Sequence, residues 1–239
     1  MTHQVCVHTT DKHYTTKEAL SSHSLNEKTI PAKNALNSAV WDSDIIYWRR
    51  DSSYQWIPDK IMDKMIASAF LEASMQTPLK IRKTNHGDAQ IIINWLGKKD
   101  EPYFTSQSIL AFAFGPGQGM GGNITMNSDN LWLLRDEPLS ALEAKRLGYI
   151  ENFSYPDNYI RFYDPLHTLK HEGGHALGMN HITDLNLAKK SVMFPYYNGL
   201  RRFGDADISY IQSLYGKSGI SKIIADSIRL RINNFETSI

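Results

Sequence analysis

The chain has 239 residues, 41% of them hydrophobic and 21% charged, which is the composition of an ordinary globular protein with room for one sizeable core. Its formal net charge of +1 gives no long-range field to gather nucleic acid or an anionic membrane, and its single cysteine, Cys6, excludes an internal disulfide framework. No apolar run approaches the ~20 residues of a membrane span, and no apolar stretch of a secretory signal opens the sequence. We therefore expect no nucleic-acid partner, no membrane span and a monomer.

The first 40 residues are rich in Thr, Ser, His, Lys and Asn and show little periodic apolar content. Such a composition predicts an N-terminal leader over 1–40 that is unstructured or serves as a pro-segment. Cys6 lies within it. This cysteine is either incidental or an inhibitory thiolate that reaches a metal, and its flanking residues offer nothing to fix the second geometry.

The next part of the chain predicts strands and one helix. Five short runs rich in β-branched and aromatic residues predict strands, at 45–48, 79–82, 90–95, 109–114 and 123–127. Apolar residues at helical spacing after Pro58 predict an amphipathic helix over 58–75. The glycine-rich segment 115–122 lacks the Gly-Lys-Ser/Thr ending of a phosphate loop, so we expect an irregular connection.

Two more helices are predicted in the second half of the chain. After a long connection over 128–163, Asp164 is a plausible N-cap and Pro165 a plausible first residue of a helix. Apolar residues at helical spacing predict a last helix over 205–215. The tail 217–239 mixes strand-like alternation with helical spacing, so its sequence predicts no single type of secondary structure. The sequence thus predicts one domain over 41–216.

The helix that begins at Asp164 and Pro165 carries the pattern H-E-x-x-H-x-x-G-x-x-H. His171 and His175 are one helical turn apart, so both imidazoles can reach one zinc ion, while Glu172 lies beside them. Gly178 can end the helix in a left-handed conformation and allow His181 to turn back as a third ligand. Three neutral nitrogens leave the fourth tetrahedral position open to water, which is typical of a catalytic zinc site.

With these residues in place, the chain resembles the matrixins, the matrix-metalloproteinase branch of the metzincins. Three further stretches carry the resemblance: residues 110–117 with 121–123, Met193 through Tyr197, and Asp207 through Gly216. The resemblance implies an α+β fold, with a twisted five-stranded mixed sheet and three helices in a zincin-like catalytic domain. It also implies that Met193 forms a Met-turn beneath the zinc.

A matrixin would be a zinc-dependent metalloendopeptidase, with one catalytic zinc and a protein or peptide substrate. Glu172 would act as general base toward the zinc-bound water and then as general acid toward the leaving amine. The substrate would add a strand to an exposed edge at about 109–113. The residues expected to bind it are Leu110, Ala111, Pro195, Tyr196 and Tyr197.

The sequence departs from the matrixin pattern in several places. Phe112 and Thr125 stand where ligands of a second, structural zinc are usual, so that zinc is expected to be absent. Amides replace the usual carboxylates of calcium sites, which predicts weak calcium binding, at Gln90, Asn123, Asn127 and Asn130. Gly173 replaces a large apolar residue, so we expect the zinc helix to lose a core contact. The inhibitory Pro-Arg-Cys-Gly motif is missing.

Two alternatives stay open. The protein could be a non-hydrolytic, zinc-stabilised peptide-binding module, although retention of Glu172 argues against it, because holding the metal needs only the histidines. It could also be a narrow-specificity toxin or effector. The resemblance implies a secreted or extracellular protein, and without a signal segment a non-classical export or effector route stays open.

Overall fold

A computed structural model describes residues 5–9, 39–85, 87–105, 108–117, 121–133 and 162–219. The strands are β1 Val5–Thr9, β2 Ile45–Arg50, β3 Lys80–Lys83, β4 Ile91–Leu96, β5 Ile109–Phe114 and β6 Ile124–Asn127. The helices are α1 Asp59–Gln76, α2 Pro165–Ala176, α3 Leu185–Ala188 and α4 Asp205–Tyr215. Most of the predicted leader, of the 128–163 connection and of the tail lies outside the described residues.

The strands form one mixed sheet in the order β1-β5-β6-β4-β2-β3. Strands β3, β2, β4 and β6 are mutually parallel, whereas β5 runs antiparallel to β6. All five predicted strands and all three predicted helices are present, so the predicted α+β fold class is confirmed. None of the helices among the described residues is both long and apolar enough to cross a membrane.

Strand β1 is an addition that the sequence did not predict. It pairs antiparallel with β5, from Val5 opposite Phe114 to Thr9 opposite Ile109. The predicted exposed edge at about 109–113 is therefore wrong: β1 covers it, and all six residues of β5 are buried. The physical reason is that β6 pairs with only one edge of β5, which leaves the other edge open. Its free row of backbone groups is a template for another strand.

The main core lies between the sheet and the helices α1 and α2. One stripe of α1 is buried, as the helical periodicity predicted, and includes Met62, Met65, Ile66, Ala69, Phe70 and Ala73. Strand β4 alternates, with Ile91, Ile93 and Trp95 buried. Full burial of each large apolar side chain contributes about 1.5–3 kcal/mol. This packing fixes α2, the zinc-motif helix, against α1 and β5.

Candidate metal centre

Local sequence signals fix where α2 begins and ends. The Asp164 side chain accepts a hydrogen bond from the backbone N–H of Leu166 at 2.9 Å, and Pro165 is the first helical residue, as predicted. Past the helix end, Gly178 has a φ of +90°. A Cβ there would lie 2.4 Å from the carbonyl oxygen of Ala39, so only glycine fits. The chain can therefore turn sharply and return toward the helix.

The three histidines converge at this turn. The Nε2 atom of His171 lies 3.1 Å from the Nε2 atoms of both His175 and His181. One potential ligand atom from each ring falls within 4.8 Å of the others. Tetrahedral nitrogen ligands ~2.0–2.1 Å from a zinc ion lie ~3.3 Å apart, so the spacing suits one such ion.

Hydrogen bonds on the other side of two rings determine which nitrogen carries the proton. His171 Nδ1 lies 2.7 Å from the carbonyl oxygen of Val192, and His175 Nδ1 lies 2.7 Å from that of Met179. A carbonyl can only accept, so each Nδ1 is the protonated nitrogen and each Nε2 presents a lone pair. Lone pairs facing each other at this distance repel unless a cation lies between them. The residues present therefore fit a divalent metal.

A buried carboxylate orients the segment that supports His171. Asp207 of α4 accepts hydrogen bonds from Ser191 Oγ at 2.5 Å, from Val192 N at 2.9 Å and from Met193 N at 3.3 Å. It also accepts one from Gly204 N at 2.8 Å. Burial raises the pKa of Asp207, and these hydrogen bonds act against that shift. Asp207 thus holds the Val192 carbonyl that faces His171. The sequence did not predict this role.

Two glycines of α2 allow other side chains to pack closely against the helix. A Cβ on Gly174 would lie 2.4 Å from the sulfur of Met193, which is fully buried beneath the helix. A Cβ on Gly173 would lie 3.1 Å from the ring of Phe70 in α1. The expected loss of a core contact at Gly173 is therefore wrong, because the Phe70 ring occupies the space that a large side chain would have filled.

Glu172 is the buried acidic residue next to the zinc-motif histidines. It has no solvent-accessible surface, and within the described part of the chain neither carboxylate oxygen has a hydrogen-bond partner. Burial raises the pKa of Glu172 well above its usual value. A buried carboxylate without partners destabilises a fold by several kcal/mol, so the stability of the fold does not account for Glu172.

Residues remote in sequence hold the turn that delivers His181. Trp41 Nε1 donates to the carbonyl oxygen of Ala176 at 2.9 Å, and the Tyr215 hydroxyl donates to that of Leu177 at 2.9 Å. The backbone N–H of Trp41 in turn donates to the Tyr215 hydroxyl at 3.3 Å. These bonds satisfy carbonyls that the end of a helix leaves without partners. Trp41 and Tyr215 therefore position the turn between His175 and His181.

We expect Trp41→Phe to weaken zinc binding. The change keeps an aromatic ring and removes one hydrogen bond, worth about 0.5–1.5 kcal/mol, from the turn that delivers His181. Zinc affinity, measured by competition with a chromophoric chelator, should fall about two- to tenfold. The control is Trp56→Phe, at a side chain that is 43% exposed. Equal zinc affinity in the two variants would contradict the role assigned to Trp41.

The predicted substrate-binding residues lie in two stretches that both contact α2. Leu110 and Ala111 are fully buried in β5, which packs against the helix. On the second stretch, Pro195 and Tyr196 are partly exposed. The hydroxyl of Tyr197 accepts a hydrogen bond from the backbone N–H of Asp164 at 2.9 Å, which ties this stretch to the start of α2. Burial raises the pKa of Tyr197 to about 12, so the hydroxyl stays protonated.

A mixed sheet packed on an H-E-x-x-H helix, with a third histidine supplied after a glycine turn, defines the metzincin class of zinc-binding domains. Within that class, the matrixin family model matches residues 40–216, about three quarters of the chain. The chain belongs to the matrixin family, as its motifs predicted.

Proteins similar to this chain include a matrilysin, a macrophage metalloelastase and an interstitial collagenase. Human matrilysin is 31% identical over 193 residues, which cover 78% of this chain and 62% of that protein. Rabbit macrophage metalloelastase is 30% identical over 197 residues, covering 79% and 35% respectively. Pig interstitial collagenase is 27% identical over 183 residues, covering 74% and 33%. The chain spans less than two thirds of the length of these relatives.

Proposed function

We propose that this chain is a zinc-dependent endopeptidase that hydrolyses peptide bonds of extended protein segments. The observation that carries the proposal is the convergence of the Nε2 atoms of His171, His175 and His181 beside an unpartnered buried carboxylate, Glu172. The three histidines would hold the zinc ion. When bound, zinc supplies a Lewis acid that polarises the scissile carbonyl and increases the acidity of water.

Glu172 would perform the proton transfers. It follows His171 on the helix and has no competing hydrogen-bond partner among the described residues, so both oxygens are available to a reactant. It would take a proton from the attacking water and pass it to the leaving nitrogen. General acid–base assistance of this kind is worth roughly 10²–10⁴-fold.

The substrate would lie between the two stretches that contact α2. Its backbone would pair with β5 at Leu110 and Ala111, along the edge that β1 covers in this structure, and main-chain hydrogen bonds would supply affinity. Residues 195–197 would form the opposite wall and part of a side-chain pocket. Tyr197 would keep this wall in place. Its hydroxyl accepts a hydrogen bond from Asp164 N, at the start of α2, and its ring packs edge-on against His167 with the ring centroids 4.8 Å apart.

We further propose that, within the part of the chain that the structure describes, the three histidines form the only site that binds a metal tightly. Phe112, at a position where the family has a zinc ligand, lies in an apolar cluster with Phe104 and Phe114. Both Asn127 and Asn130 use their amide N–H groups to bond the carbonyl of Ile109, and the Asn127 side-chain oxygen accepts from Asp129 N. These amides support the sheet, and their lack of charge would make any calcium binding weak.

The proposed catalytic domain spans residues 41–216, with 1–40 as a leader or pro-segment and 217–239 as a tail. By analogy with its family, the protein would act outside the cell. We also propose that it is a monomer. A non-hydrolytic peptide-binding module is disfavoured, because it would retain a destabilising buried carboxylate at Glu172 without using it.

Metal removal tests the proposal. Zinc-loaded protein should cleave an unfolded substrate such as reduced, carboxymethylated casein, and a chelator should abolish this cleavage. One equivalent of zinc should restore it, whereas magnesium, which prefers oxygen ligands, should not. Cleavage that persists after complete removal of zinc would contradict the proposal.

A further inference from the structure

We infer that β1 is a tethered occupant of the peptide-binding edge, so that residues 5–9 compete with peptide substrates for β5. This inference rests on the proposed function, in which substrates pair with β5. It concerns a segment that the sequence places in the polar leader and the structure places in the sheet.

The sheet order makes the competition mutually exclusive. A strand has two hydrogen-bonding edges, and one edge of β5 is already paired with β6. A peptide can therefore pair with β5 only along the edge that β1 now covers. The covered residues run from Ile109 to Phe114 and include Leu110 and Ala111, the two proposed substrate contacts.

The position of β1 relative to the metal centre supports the same conclusion. Strand β1 also contacts α2, the helix that carries His171 and His175. Its pairing with β5 is regular from Val5 to His8, which lies opposite Ala111, and then shifts so that Thr9 lies opposite Ile109. The shift leaves Leu110 without a paired residue, as in a β-bulge. An extended segment thus crosses the proposed substrate site beside the metal-binding helix.

Main-chain pairing is sufficient for this occupancy. The five residues of β1 are Val-Cys-Val-His-Thr, and three of them are β-branched, which favours the extended conformation. The segment is joined to the domain by residues 10–38, so its pairing is intramolecular, with an effective concentration of the order of millimolar. Weak strand addition can therefore keep the edge covered. The Cys6 thiol is not required, in contrast to an inhibitory thiolate on the metal.

The test uses the 239-residue chain, zinc-loaded and carrying Glu172→Ala, so that no variant digests itself. Successive amides of a strand point to opposite sides, so one of the neighbours Cys6 and Val7 directs its N–H toward β5. The double variant Cys6→Pro/Val7→Pro therefore removes a ladder hydrogen bond whichever residue provides it. The matched control, Cys6→Ser/Val7→Ile, alters the same positions and removes the thiol but keeps both N–H groups.

Two measurements decide the outcome. Amide hydrogen exchange of the 109–114 segment should become faster in the proline variant and stay unchanged in the control. A fluorescein-labelled peptide with the sequence of residues 3–10, with serine in place of Cys6, should bind the proline variant at least about tenfold more tightly than the control. An edge that is 90% occupied lowers the apparent affinity by that factor.

Equal exchange or equal peptide affinity in the two variants would overturn the inference, as would failure of the peptide to bind the proline variant. Weakened occupancy in the control would also overturn it, because it would assign the contact to the thiol. Neither measurement requires hydrolysis. If the unmodified protein failed to cleave any substrate, the proposed function would fail while these results still decided the role of β1.

Discussion

Replacement of Glu172 by alanine is expected to lower kcat/KM for an unfolded protein substrate by about 10²–10⁴-fold while zinc remains bound at one equivalent. The metal should remain because the three imidazoles, with two Nδ1 atoms fixed by the carbonyls of Val192 and Met179, do not depend on the carboxylate. Hydrolysis should be lost because the described part of the site offers no other carboxylate next to the histidines.

The same variant provides its own test for misfolding. Glu172 is fully buried without a hydrogen-bond partner among the described residues, so its removal should leave the unfolding midpoint unchanged or raise it. Glu101→Ala, which alters a partly exposed glutamate, serves as an activity control. Zinc content by elemental analysis, thermal unfolding and cleavage rate should be measured on each protein. Activity of Glu172→Ala within threefold of the unchanged protein would exclude the proposed proton-transfer role.

The parts of this fold that the sequence predicts well are those with local signals. Strand β5 and helix α4 have the predicted bounds, because each is a strongly patterned run with a clear start and end. The start of α2 follows from Asp164 and Pro165, and its end from Gly178. The ligands His171 and His175 follow from helical spacing, since a helix places residues four apart on one face, and His181 follows from the turn predicted at Gly178.

Long-range pairings had no comparable signal. Strand β1 pairs with residues at least 100 positions away, and the polar residues around its short β-branched run gave no indication of a strand. Trp41 and Ala176 are 135 positions apart, so nothing near the zinc motif indicated that an indole caps the helix. At Gly173 a local rule predicted a weakened contact, but Phe70 of another helix fills the space. Tertiary packing decided each of these features.

A buried ion pair between Lys170 and Glu72 is the clearest feature that tertiary packing decided. Lys170 immediately precedes His171, yet its side chain is only 1% exposed. Its Nζ lies 3.5 Å from Glu72 Oε2 of α1 and also donates to the carbonyl oxygen of Arg201. Glu72 Oε2 accepts a further hydrogen bond from Phe203 N at 3.1 Å. Lysine is almost never fully buried unless it is paired, so the sequence alone favours a solvated position.

We expect Lys170→Met to lower the free energy of unfolding by about 3–5 kcal/mol, because it leaves the Glu72 carboxylate buried without its counter-charge. Methionine keeps the side-chain length and a high helix propensity, so α2 itself should not suffer. Urea unfolding of zinc-loaded protein in the Glu172→Ala background would measure the change without self-digestion. A loss of less than about 1 kcal/mol would contradict the prediction, since exposed ion pairs contribute no more than that.

The double variant Lys170→Met/Glu72→Leu separates the pair from its surroundings. Replacing both charges removes the desolvation penalty together with the attraction, so most of the lost stability should return. Recovery should be incomplete, because the Arg201 carbonyl loses the Lys170 donor and Phe203 N loses its acceptor. If the double variant were as unstable as Lys170→Met, the two charges would not be coupled. The segment around Arg201, which bonds to Asp164 at the start of α2, would then depend on Lys170 alone.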